Sequence, residues 1–138
     1  MSKSAEAALQ ELFAAAKAAQ ANAYAPYSRF KVGAALRSES GAIHAGCNVE
    51  NAAYPQGSCA EAGAIAAMAL AGERRIVDIV VVGDGEDLCT PCGGCRQRIR
   101  EFADAATRIH IAGLAGLRAS FALEDLLPHS FGPGHLKR

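Results

Sequence analysis

The stretch IVDIVVVGDGEDLCTPCGGCRQRIREF, residues 76–102, carries the pattern from which the fold is read. Its first eight residues form a nearly continuous apolar run, which suits a central strand buried on both faces of a sheet. The polar, glycine-rich segment from Gly83 to Gly94 reads as loop. Residues 93–103 read as a helix, with Cys95, Ile99 and Phe102 on one face at i, i+4 and i+7. Pro91 is well placed at its start, where a missing N–H costs nothing.

Working outward, residues 4–22 read as an amphipathic helix with Leu9, Leu12, Phe13 and Ala16 on its apolar face, Ser4 as a cap, and Pro26 beyond its end. RFKVGAAL (29–36) and AIHAGCNV (42–49) alternate as two strands joined through the turn-rich RSESG (37–41). ENAAYPQGS (50–58) is loop, and Ala60 to Leu70 is helical in composition, with Gly72 as its stop. Downstream, TRIHIAG (107–113) and LRASFAL (117–123) are two further short strands, and EDLLP (124–128) a last helical turn. The order α-β-β-α-β-α-β-β, without repeats or a linker, predicts one α/β domain over residues 1–138. Its expected architecture is a three-layer α/β/α sandwich around a mixed five-stranded sheet.

Bulk properties narrow the function. With 138 residues the chain can bury about two thirds of its unfolded surface. Fourteen Lys and Arg cancel fourteen Asp and Glu, and no basic run appears, which counts against a nucleic-acid substrate. The N-terminal MSKSAEAALQELF has no uninterrupted apolar core, so neither a signal peptide nor a membrane helix is expected. Five cysteines, three of them within seven positions, favour metal or catalytic use over a disulfide framework and point to a cytoplasmic protein.

Cys89, Cys92 and Cys95 are evenly spaced and admit several chemistries. An iron–sulfur cluster needs a fourth cysteine, and none follows Cys95. A redox Cys-x-x-Cys leaves the other cysteines idle. The informative partner lies upstream in SCAEAGAIAAM (58–68), where Cys59 begins a helix and Glu61 follows two residues later. If the two helix starts converge, Cys59, Cys92 and Cys95 meet at the positive ends of two helix dipoles. Three ligands leave a tetrahedral zinc one open position for water, whose pKa the metal lowers from about 15.7 towards 7. Glu61 then stands beside that water as a proton shuttle rather than a ligand. The bland alternatives are a closed four-thiolate zinc with Cys47 or Cys89 as fourth ligand, and a first-turn glutamate that only complements the dipole. His44, His110, His129 and His135 lack metal spacing and read as surface or packing residues.

Cys-Ala-Glu followed by Pro-Cys-x-x-Cys resembles the zinc nucleobase deaminases. Beyond it, PYSRFKVGAAL (26–36), GCNVENAAYP (46–55), PCGGCRQRIREF (91–102) and DLLPHSFGP (125–133) resemble the small, homotetrameric nucleoside cytidine deaminases, in order, over residues 24–133. The resemblance implies one Zn²⁺ per subunit on Cys59, Cys92 and Cys95, with Glu61 as the catalytic acid–base. It further implies that Asn48 and Glu50 bind the ribose hydroxyls and that the Ala60 backbone reads the cytosine edge. Phe30 and Phe131 would flank the pyrimidine, Phe131 coming from a neighbouring subunit of a tetramer with shared sites. Tyr27 and Tyr54 would lie near the site and the subunit interfaces. From the residues alone, Phe30 would be core, Asn48 and Glu50 turn residues, and Tyr54 a loop brace.

The implied reaction is hydrolytic deamination of cytidine and deoxycytidine to uridine and deoxyuridine with release of ammonia, a step of pyrimidine salvage. A phosphorylated substrate is disfavoured by Glu50 and by the lack of an arginine cluster. Alternatives are a same-fold deaminase on blasticidin S, free cytosine or tRNA adenosine, and a non-catalytic zinc-stabilised binding module. One departure stands out. Many relatives carry arginine directly after the catalytic glutamate, offsetting the thiolate charge, whereas this chain has Ala62; Arg96 is the candidate substitute.

Overall fold

A computed structural model describes residues 2–136. Helix α1 (Lys3–Ala21) is followed by the hairpin β1 (Val32–Ser38) and β2 (Ile43–Cys47), helix α2 (Ala60–Leu70) and strand β3 (Ile76–Gly83). Then come α3 (Gly93–Glu101), the hairpin β4 (Arg108–Gly113) and β5 (Gly116–Ala122), and the single turn α4 (Leu123–Leu126). One sheet of five strands has the order β2-β1-β3-β4-β5. Only β3 and β4 run parallel; the other neighbours are antiparallel, so the sheet is mixed, as expected.

Strand β3 is buried on both faces because helices cover both. Val80 and Val82 pack with Leu12 and Ala16 of α1, while Ile79 and Val81 pack with Ala64 and Met68 of α2 and Ile99 of α3. Two glycines set how closely the helices lie. A Cβ on Gly33 of β1 would strike the Ala16 carbonyl and the Gln20 backbone of α1. A Cβ on Gly46 of β2 would stand 2.6 Å from the Ala60 carbonyl oxygen in the first turn of α2. The helix backbone therefore rests on the sheet itself at these points, which fixes where α2 begins.

The expected boundaries shift where local chemistry was misassigned. Ser2, not Ser4, caps α1, its Oγ accepting from the Ala5 N–H at 3.1 Å. Arg37 and Ser38, read as turn, continue β1, because Ser38 N–H still bonds the Ala42 carbonyl across the hairpin. Helix α3 ends at Glu101, so Phe102 packs on the core from the C-cap rather than from the helix face. The last turn starts at Leu123, one residue before EDLLP, and Tyr54–Gln56 adds a 3₁₀ turn inside the expected loop. Among the described residues no helix is long and apolar enough to cross a membrane.

Sheet register also assembles the site. Gly33 pairs with Cys47 and Val32 with Gly83, so the start of β1, the end of β2 and the end of β3 meet at one end of the sheet. The loops leaving β2 and β3 run from that end into α2 and α3 respectively. Cys59 and Cys92 stand where those two helices begin.

Candidate active site

Cys59 and Cys92 are the N-cap residues of α2 and α3, with extended backbones, and neither side chain is used for capping. Their sulfurs are 4.0 Å apart. Cys95, buried in the first turn of α3, completes a set of three Sγ atoms within 4.8 Å of one another. It is the one group of three or more potential metal ligands among the described residues. Tetrahedral zinc with Zn–S bonds of about 2.3 Å holds its thiolates roughly 3.8 Å apart, so these donors fit the ion with little adjustment. Their chemistry asks for a cation as well. Burial pushes the Cys59 and Cys95 thiols up, and neighbouring Glu61 and Cys92 push the same way, while the contact with Cys95 opposes the rise at Cys59. The Cys95 N–H holds Cys92 below its ordinary value. Two helix N-termini add positive potential at the cluster. The three cysteines are positioned to bind zinc.

Cys89, the bystander of the evenly spaced trio, is outside this set. It packs against Gly83, and burial pushes its thiol up to about 11. Cys47, the other candidate fourth ligand, is also outside the set. Glu61 is buried in the first turn of α2. Burial raises its carboxyl above the usual range, opposed by Cys95 and by the charge of Arg98.

A cavity of about 390 Å³ opens over the cluster, lined by Glu61, Cys59, Cys92 and Ala60 and by Phe30, Asn48, Glu50 and Tyr54. Its lining contains no lysine or arginine. Asn48 donates to the Phe30 carbonyl at 2.8 Å and accepts from the Val32 N–H at 2.9 Å. Glu50 Oε1 accepts from the N–H groups of Tyr27 and Ser28 at 2.9 and 3.1 Å, and its Oε2 from the Ser28 hydroxyl. The Ser28 hydroxyl and N–H, with the Tyr27 N–H, keep Glu50 below the usual carboxylate range. By donor and acceptor capacity, Asn48 keeps one N–H and one lone pair, and Glu50 Oε2 keeps one acceptor site, for a ligand. Tyr54 is 77 % exposed and meets Tyr27 edge-on at 6.1 Å.

Phe131 is not brought to this cavity. It is 54 % exposed on a separate surface beside Gln97 and Pro133, its ring stacked on His135 at 4.9 Å. Arg96 does not face the thiolates either. Its guanidinium donates to the Pro91 and Leu126 carbonyls at 2.6 and 2.7 Å and to the Thr90 hydroxyl at 3.1 Å, which ties down the loop before α3. The arginine beside the cluster is Arg98, whose Nη1 donates to Cys95 Sγ at 3.6 Å. Sequence reasoning missed Arg98 and Ser28; the i+3 spacing from Cys95 was the available signal for the former. Two histidines are structural, as expected for packing residues. His44 bonds Glu73 at 3.0 Å, and His110 bridges Asp78 and Ser120 at 2.8 and 2.6 Å.

A family model described as the cytidine and deoxycytidylate deaminase zinc-binding region matches residues 6–111. The chain is similar to a cytidine deaminase of Sporosarcina psychrophila, 41 % identical over 123 residues, or 89 % of this chain and 90 % of that one. Among solved structures, it resembles a cytidine deaminase from Burkholderia pseudomallei at 42 % identity, with a TM-score of 0.82 over 88 % of this chain and 98 % of that one. It also resembles a cytidine deaminase from Mycobacterium tuberculosis at 37 % identity, with a TM-score of 0.77 over 90 % and 97 %.

Proposed function

The chain belongs to the cytidine and deoxycytidylate deaminase zinc-binding family, and on that premise we propose that it hydrolyses cytidine and deoxycytidine to the uridine nucleosides and ammonia. The observation that carries this reading is the three-thiol cluster beside buried Glu61, next to a cavity that Glu61 lines together with the polar Asn48 and Glu50.

Zinc held by Cys59, Cys92 and Cys95 supplies a Lewis acid that brings the pKa of water close to neutrality. The rest is the work of this chain's side chains. Glu61 takes a proton from the water and passes it to N3 of the pyrimidine as the water oxygen adds to C4. It then takes the proton of the new C4 hydroxyl and delivers it to the 4-amino nitrogen, which leaves as ammonia when the C4–N bond breaks. Its burial suits that task, because a carboxyl raised above its usual range gives up a proton as well as taking one. Ala60, at the first position of α2, has an N–H without an intrahelical partner, available to the cytosine edge. Phe30 packs against the ring. The remaining N–H of Asn48 and the remaining acceptor on Glu50 receive the ribose hydroxyls, chiefly the 3′-hydroxyl. Two acidic residues, Glu50 and Glu61, and no basic one at the cavity speak against a nucleotide phosphate.

Activity should be highest on cytidine and deoxycytidine and low on the nucleotide, on free cytosine and on blasticidin S, by loss of cytosine absorbance with each compound. Stoichiometric zinc with no turnover of any of them would support a non-catalytic module instead.

The exposed Phe131 and Tyr54 suit a homotetramer in which Phe131 reaches a neighbouring copy's cavity. Five cysteines without a disulfide suit a reducing, cytoplasmic setting and a role in pyrimidine salvage. Phe131→Ala should raise KM about 5- to 150-fold, the range of an aromatic stacking contact. Mixing it with an inactive Glu61→Gln variant should restore part of the activity through hybrid sites. No restoration would mean that each protomer is self-sufficient.

A further inference from the structure

We propose that Arg98 is the positioning residue that balances the charge of the three-thiolate metal site; this rests on the reading that Cys59, Cys92 and Cys95 hold zinc. Replacing three thiol protons by one divalent ion takes the site from neutral to a formal charge of −1. Buried Glu61 adds a second negative group beside it. A fixed positive charge close by lowers the electrostatic cost of gathering three thiolates and a carboxylate around one divalent ion. A guanidinium suits the position because it stays charged and cannot itself become a competing ligand.

The geometry puts one there. Arg98 Nη1 is 3.6 Å from Cys95 Sγ, the only hydrogen bond from a cationic side chain to any of the three thiols among the described residues. Helical side chains point towards the N-terminus, so a residue three positions after Cys95 reaches back to the turn that carries the ligands. The guanidinium lies over Gly94, one turn earlier, where a Cβ would come to 3.4 Å from Arg98 Nη1. The neighbouring arginines are engaged elsewhere, Arg96 with the loop carbonyls and Arg100 with the Ser130 hydroxyl at 2.9 Å. With Ala62 after Glu61, α2 offers no cation at the corresponding place.

The test compares the full zinc-loaded chain with Arg98→Gln and Arg98→Lys. Zinc affinity is read by competition with a chromophoric chelator at fixed pH, and the thiolate-to-metal charge-transfer band is read after cobalt substitution. Arg98→Gln should weaken zinc by about 10- to 100-fold, the usual cost of losing a partner to a metal ligand. It should also move the cobalt band to lower energy, since the sulfur loses an N–H donor. Arg98→Lys keeps the charge and should recover most of the affinity. A cation that served only the C-terminal dipole of α3 would change thermal stability and leave both readouts alone. Parental affinity and an unmoved band in Arg98→Gln would overturn the proposal. A parent chain that takes up no zinc would instead remove the metal-site reading on which it stands.

Discussion

Glu61→Gln is expected to leave zinc content and fold intact and to cut turnover by more than the ~10² to 10⁴ usual for one acid–base group. The excess follows from asking one carboxyl to serve several proton transfers, from water, to N3 and to the leaving amine. Glutamine keeps the shape and the acceptor oxygen but can carry none of these protons. Stability should hold or rise, because a side chain 4 % exposed loses its charge and its desolvation cost together. Turnover with cytidine, metal analysis and thermal unfolding make the check. Near-parental turnover would end Glu61's assignment, and loss of zinc with activity would make it part of the metal-holding set instead.

The second large effect is expected from Cys95→Ser. Cys95 is fully buried and is the ligand anchored most deeply, one turn before Ile99 in the core. A hydroxyl is a far weaker zinc ligand than a thiolate, so zinc should fall from one ion per chain towards none and turnover should fall to background. Cys89→Ser supplies the contrast, since Cys89 stands outside the three-sulfur set, and zinc should remain stoichiometric. Equal loss of zinc in both variants would point to a closed four-thiolate site with no position for water.

Much of this was legible from local pattern. The apolar run at residues 76–83 marked a strand buried on both faces, and it is the central strand β3. Ala60–Leu70 matched its composition end to end. Cys-Ala-Glu and Pro-Cys-x-x-Cys marked two helix starts, and both are helix starts. Errors came where two nearby residues offered the same local chemistry. Ser2 and Ser4 are both good caps, and which one acts depends on where the first helical turn begins. Arg96 and Arg98 both follow Cys95 on α3. Arg96 points to the Pro91 and Leu126 carbonyls while Arg98 turns back to the sulfur, a difference of helical phase and of what packs alongside.

Periodicity and motif order therefore determined the elements, the mixed α/β class and the identity of the metal-ligand set, because each depends on residues a few positions apart or on motifs that survive as text. Convergence belonged to the tertiary structure. Cys59 and Cys92 become neighbours only because β1 pairs with both β2 and β3, which brings two loops to one end of the sheet. The same folding decided that Glu50 keeps one acceptor site free rather than a whole carboxylate, and that Arg98 is the cation hydrogen-bonded to Cys95. These are long-range outcomes of register and packing, and no local rule in the sequence encodes them.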